Sequence, residues 1–435
     1  MSIRGKAWIL VISGALAIYA LVGSMPWVGA VLTTQAQQPI NDAGAQLRIF
    51  ESVLQHIQND YVDDPNMEKV RLGALRGLAG GLDPYSSYLT AEQVKEYQAG
   101  KSNKAGIGAE FGEVSAYLYV VSVVKGSPAD TAGIKTGDVI EYIDGKATRD
   151  ISLYDAKALI AGAPGTSVTL RVLRPGEKPQ LIKVTRGSYK IPSVESRVEA
   201  GNIGVIKVYS LEDGEANDVR TQLQNLSKQG VKKVVLDLRS VAVGSINEGV
   251  AVANLFIKDG DLAKIIGREN KPVKSFTADP SKAVFDGPLA VLIDLGTAGP
   301  GEVVASAVLE RKRGEVVGER SFGAGTDQQL FTMRGGDGLL LTTAKWASPS
   351  GVPFLGDERA SMGVKPSIEV KRPDTPEPLE VEELIDRQDD QAQEPQPSGT
   401  PATKQQKKPA ATEDLQLKKA LEILQQVGQT SKTGE

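Results

Sequence analysis

Leu47, Phe50, Leu54, Ile57 and Tyr61 recur every three or four positions, so they share one face and predict an amphipathic helix over 45–61. Met67, Val70, Ala74, Leu75 and Leu78 mark a second helix, stopped by Gly80-Gly81. From about residue 187 the pattern changes. Short apolar runs at 203–208, 234–239 and 289–293 read as buried strands, and they alternate with helical stretches at 247–257 and 302–311. That alternation predicts an α/β core. Residues 373–411 are rich in Pro, Gln and charge and read as a disordered linker. Beyond it, Leu417, Ala420, Leu421, Leu424 and Val427 fall on one side of a last helix, with Thr412 as its cap and Gly428 as its stop.

The first 41 residues follow neither pattern. Arg4 and Lys6 precede an uncharged stretch over 7–41, apolar through Leu32 apart from Ser13, Ser24, Pro26 and glycines. It exceeds the core of a cleavable signal and reaches the ~20 residues that span a bilayer. The expectation is a signal-anchor with its basic end cytoplasmic and the rest of the chain exported, periplasmic or otherwise extracytoplasmic. A cleaved signal ending near Ala36 is the alternative. The chain has 435 residues, a net charge of −4, no cysteine and one histidine, His56. Disulfides, thiolate catalysis and zinc sites built on His or Cys are therefore excluded, and nothing points to nucleic acid. His56 reads as a surface residue of the first helix.

Several motifs appear in a fixed order. Leu82-Asp83-Pro84-Tyr85-Ser86-Ser87-Tyr88-Leu89 comes first, where Asp and Ser beside a proline fix a turn through local side-chain bonds. Ala105-Gly106-Ile107-Gly108-Ala109 and the run from Ser127-Pro128-Ala129 to Gly137-Asp138-Val139-Ile140 resemble a PDZ domain over 104–186. The resemblance implies that N–H groups around Gly106, Ile107 and Gly108 meet a peptide's terminal carboxylate while its chain adds to a sheet edge. Then come Gly296-Thr297-Ala298-Gly299-Pro300-Gly301-Glu302, Gly318 to Gln328, and Trp346-Ala347-Ser348-Pro349-Ser350-Gly351. Together these resemble the C-terminal processing peptidases, tail-specific serine proteases with a Ser/Lys dyad, over roughly 45–372. The implied fold is a multidomain α/β one: a crotonase/ClpP-like core with an inserted PDZ domain and a helical N-terminal region. The implied domains are a signal-anchor or signal peptide (1–41), the helical region (42–103), PDZ (104–186), protease-like core (187–372), linker (373–411) and C-terminal helix (412–428).

By the same resemblance the nucleophilic serine falls on Gly299 and the lysine on Ala324, so neither hydroxyl nor amine is present. Gln328, which orients the lysine in the family, is retained. The oxyanion donors are altered. The residue after the serine position is Pro300, which has no N–H, and the family's P-G-G reads Ala242-Val243-Gly244, with a β-branched residue where glycine's backbone freedom is expected. Thr297, Ser306, Ser321 and Thr326 are the hydroxyls nearby, and no basic group is identifiable beside any of them. No cofactor is implied, and no carboxylate spacing supports a metal.

Three functions follow. The leading one is an exported, membrane-anchored, catalytically inactive homologue that binds C-terminal tails through its PDZ domain, with a second copy or an active relative as further partners. An active endopeptidase with a relocated nucleophile is the enzymatic alternative, and a structural partner with an empty PDZ groove is the third.

Overall fold

The computed structural model describes residues 42–100, 105–356, 358–372 and 413–427. The signal-anchor, the linker, Thr412 and Gly428 lie outside those residues. Among the described residues no helix is long and apolar enough to cross a membrane. The described residues divide into two compact units, one up to Ala74 and one from Leu75 on.

In the first unit, α1 (Ala43–Asp60) forms where the apolar spacing predicts it and is capped by Asp42, but none of its residues is buried. His56 lies on its surface, with Nδ1 2.6 Å from the Asp60 carboxylate one turn on. Helix α2 (Met67–Gly80) begins in this unit and runs past its boundary at Ala74.

The second unit holds three sheets. After β1 (Ser87–Leu89) and α3 (Ala91–Ala99), whose Thr90 and Gln93 form a reciprocal cap, comes the PDZ-like domain. Its strands are β2 (Ala109–Val114), β3 (Tyr117–Val123), β4 (Val139–Ile143), β5 (Lys146–Ala147), β6 (Ser167–Leu173) and β7 (Gln180–Thr185). They pair in the order β2-β3-β4-β6-β7, with β5 added to β4. The short helix α4 (Pro128–Ala132) and α5 (Leu153–Ile160) complete it. β2 lies at the sheet edge, and Lys157 of α5 reaches across to Glu110 of β2 at 3.2 Å.

The core sheet runs β17-β14-β13-β10-β9-β8. β8 (Glu195–Glu199) is antiparallel to β9, whereas β9 (Ile203–Lys207), β10 (Lys233–Asp237), β13 (Leu289–Ile293), β14 (Glu315–Gly318) and β17 (Ile368–Glu369) are parallel. Its strands are apolar at successive positions because both faces are covered. Ile206, Val234, Leu236, Val291 and Ile293 face α6 (Glu215–Lys228), α7 (Ile246–Asn254) and α8 (Pro300–Glu310). Ile203, Val205, Val235, Ala290 and Leu292 face α9 (Leu415–Gln426), through Ala420 and Leu424. The cap of α9 is Asp414, which accepts from Leu417 N. A third sheet joins β1 to β11 (Asp261–Ile266), β12 (Pro272–Thr277), β15 (Thr326–Thr332) and β16 (Gly338–Ala347).

Candidate active site and peptide groove

The two positions expected to carry the dyad come together, and the residue that joins them is Glu302. β13 ends at Ile293, and the chain turns through Asp294, whose carboxylate accepts from Ser240 N (2.8 Å) and Gly296 N (3.0 Å). Gly299 closes the turn with φ +50° and is buried, and Pro300 opens α8 in the first-turn position that suits its fixed φ. Oε2 of Glu302 accepts from Gly299 N at 2.8 Å and from Ala324 N at 2.9 Å. Oε1 accepts from Gly323 N at 2.8 Å and from the Ser321 hydroxyl at 2.5 Å. One carboxylate thus ties the helix start to the 321–324 loop. Burial pushes it up to about 7, although all four donors favour its charged form. In the sequence Glu302 stands only as the last residue of the motif. Its signal was a lone charge in the otherwise apolar start of a helix.

Neither position carries a reactive group, and the hydroxyls of Thr297, Ser306 and Ser321 are engaged elsewhere. Thr297 donates to Leu238 O (2.9 Å) and accepts from Asp294 N (3.0 Å). Ser306 donates back to Val303 O within α8. Ser321, wholly buried, donates to Glu302 and accepts from Val364 N at 2.6 Å. Thr326 opens β15 opposite Lys345, whose ammonium donates to Leu355 O at 3.3 Å. Gln328 donates to Tyr85 O at 2.5 Å, joining the core to the turn that Asp83 holds through Tyr85 N and Ser86 N.

The backbone strain expected at Val243 is absent. Val243 does not adopt positive φ, so a β-branched residue is unstrained there. The left-handed position is Gly244, at φ +135°, where a Cβ would lie 2.0 Å from Leu211 O. Glycine is retained at the position that requires it. What remains altered on the oxyanion side is Pro300, with no N–H to give.

The site is not an open cleft. Tyr119 and Val121 of β3 pack in one apolar cluster with Ala298 and Phe322, against which Ala242 and Ala324 also rest. A cavity of about 940 Å³ lies alongside, lined by Glu113, Arg268, Lys345, Arg359 and Met362 among others, but neither Gly299 nor Ala324 lines it. Arg359 holds the loop from the cavity side by donating to Phe322 O. Burial, with Asp83 adding to it, pushes Glu113 up to about 7.

In the PDZ-like domain, Gly106, Ile107 and Gly108 donate their N–H groups to no hydrogen bond among the described residues, while their carbonyls accept from Gly187, Ala129 and Val124. Gly108 has φ +78°, and a Cβ there would sit 2.2 Å from Ser127 Cβ. Ile107 is buried in the domain core.

Residues 202–370 match the family model described as Peptidase family S41, and 119–174 match a PDZ domain. A carboxy-terminal-processing protease of Bartonella bacilliformis is 31% identical over 334 residues, covering 75% of this chain and 76% of that one. The carboxy-terminal processing protease CtpA of Bacillus subtilis is 32% identical over 322 residues, 74% of this chain and 68% of that one. Among solved structures, a photosystem II D1 C-terminal processing protease aligns with a TM-score of 0.63 at 26% identity, over 74% of this chain and 86% of that one. With its S41 core, its PDZ domain and these relatives, the chain belongs to peptidase family S41, among the carboxy-terminal processing proteases.

Proposed function

We propose that this protein is a catalytically silent member of its family that is exported, held at the membrane by its N-terminal segment, and binds C-terminal tails of other proteins through its PDZ domain. The observation that carries the silence is the pair of backbone N–H groups on one Glu302 oxygen: the two positions meet, and they are Gly299 and Ala324. An acyl transfer needs a nucleophile and a base there, and the hydroxyls of Thr297, Ser306 and Ser321 are committed to structural bonds. The relatives named as proteases favour the rival reading of an active enzyme. Incubating the purified protein with an unstructured substrate ending in apolar residues separates the two. No turnover above a buffer blank and no labelling by a serine-directed phosphonate are expected. Turnover abolished by Thr297→Ala, Ser306→Ala or Ser321→Ala would sink the proposal.

Tail binding is supported by the N–H groups of Gly106, Ile107 and Gly108, unbonded among the described residues, beside the edge strand β2. A single groove buries little surface, so dissociation constants in the micromolar range are expected, roughly −8 kcal/mol or weaker. Calorimetry with a free-acid peptide and its C-terminal amide tests this. Equal affinity for the two excludes carboxylate recognition and leaves a structural partner.

A further inference from the structure

β3 is buried on both faces. Leu118 and Val120 face the PDZ core, as the period-two alternation requires. Tyr117, Tyr119 and Val121 face the other way, yet are only 2, 7 and 4% exposed. What covers them is the vestigial site, through Ala298 beside the nucleophile position and Phe322 two residues before the lysine position, with Ala324 itself against the cluster. The fit is close. A Cβ on Gly112 of β2 would lie 2.4 Å from the Phe322 ring, and one on Gly296 would lie 3.0 Å from Val121 O. A lysine at 324 would bring an ammonium to this apolar contact at a desolvation cost that alanine avoids.

We propose that Ala298, Phe322 and the former lysine position Ala324 form the floor of a permanent dry interface that fixes the PDZ domain to the core. Domains in one chain move relative to each other by default unless the interface between them is large and apolar, and here Tyr117, Tyr119 and Val121 meet apolar partners in Ala298, Phe322 and Ala324. The PDZ groove is then presented at one fixed orientation, and its occupation opens nothing. This holds whether or not the groove binds tails.

The chain has no cysteine, so Lys178→Cys in the exposed β6–β7 turn and Lys228→Cys at the exposed end of α6 supply the only thiols for a pair of spin labels. Dipolar spectroscopy on the full chain should give one narrow distance distribution. Adding Gly112→Ala, a wedge against Phe322 at a position without positive φ, should at least double its width, and adding Phe322→Leu to that variant should restore it. Ala324→Lys, which disturbs the same contact from the core side, should broaden it too. A broad or two-peaked distribution in the labelled chain without further changes overturns the proposal by itself, as does a Gly112→Ala variant indistinguishable from it.

Discussion

At the scale of single residues, the departures from the residues expected at the dyad and oxyanion positions are of unequal kinds. Gly299 leaves room for a side chain, since a Cβ there meets only Trp346 at 3.5 Å, but its φ of +50° strains any other residue by roughly 1–3 kcal/mol. Serine can therefore be reintroduced at a modest cost. The donor missing at Pro300 is worth ~10²–10³ in rate. Gly299→Ser with Ala324→Lys is expected to show little turnover of an unstructured protein until Pro300→Ala is added. Val243→Gly should add nothing, because Val243 has no backbone strain to relieve. A double mutant as fast as the triple would refute the oxyanion argument. Glu302 is the residue on which the local structure depends. Glu302→Gln turns one acceptor into a donor facing N–H groups, so urea unfolding should show a loss of about 2–3 kcal/mol. An unchanged midpoint would mean that the loop is held some other way.

At the scale of elements, α9 and the Gly106–Gly108 loop each yield a measurement. Helix α9 is pinned at its start by Asp414, which takes both Nη atoms of Arg239 at 2.9 Å, and at its end by Lys233, which donates to Leu424 O at 2.6 Å. Between these points Ala420 and Leu424 cover a face of five-residue strands that would otherwise be exposed apolar surface. Leu424→Ala should destabilise the protein by about 2–5 kcal/mol in chemical denaturation. A change within error would place α9 outside the cooperative core. In the PDZ loop, Gly108→Val reports on folding, since both φ and Ser127 forbid the side chain. Gly106→Val is the informative substitution: it has no positive φ, and its nearest neighbours, Gly108 N and the Tyr189 ring, are 3.9 Å away. It should weaken free-acid peptide binding several-fold without lowering the unfolding temperature. Unchanged affinity would remove Gly106 from the site.

For the whole molecule the telling quantity is the pH dependence of stability. Glu302 and Glu113 stand at about 7 in the folded chain against 4.5 for a free glutamate, so between those values the folded state keeps protons that the unfolded chain releases. Stability from these groups therefore falls as pH rises through that window. Asp237 runs the other way. Burial opposes its charge, but Lys207 and Arg239 hold its carboxyl below the usual range, and that contribution is lost only as the pH falls below the ordinary aspartate value. The unfolding temperature should be higher at about pH 5.5 than at about pH 8, and Glu113→Gln should flatten the difference. A midpoint that rises steadily to pH 8 would contradict both assignments.

The sequence by itself determined the elements and the family. Leu289–Ile293 is a strand and the stretch after Glu302 a helix because apolar period and capping are local properties, read within a few residues. That Gly299 and Ala324 fall where the dyad is expected is likewise a reading of motif spacing, which does not depend on the side chain at either position. Other features depend on residues far apart in the chain, and only the tertiary structure decided them. Glu302 joins backbone N–H groups more than twenty residues apart, and α9 covers a sheet face whose double burial looked like any apolar run. Which glycine needs its freedom was decided by Leu211, about thirty residues before Gly244. The second face of β3 is buried because the core lies against it, and no pattern along the chain records that contact.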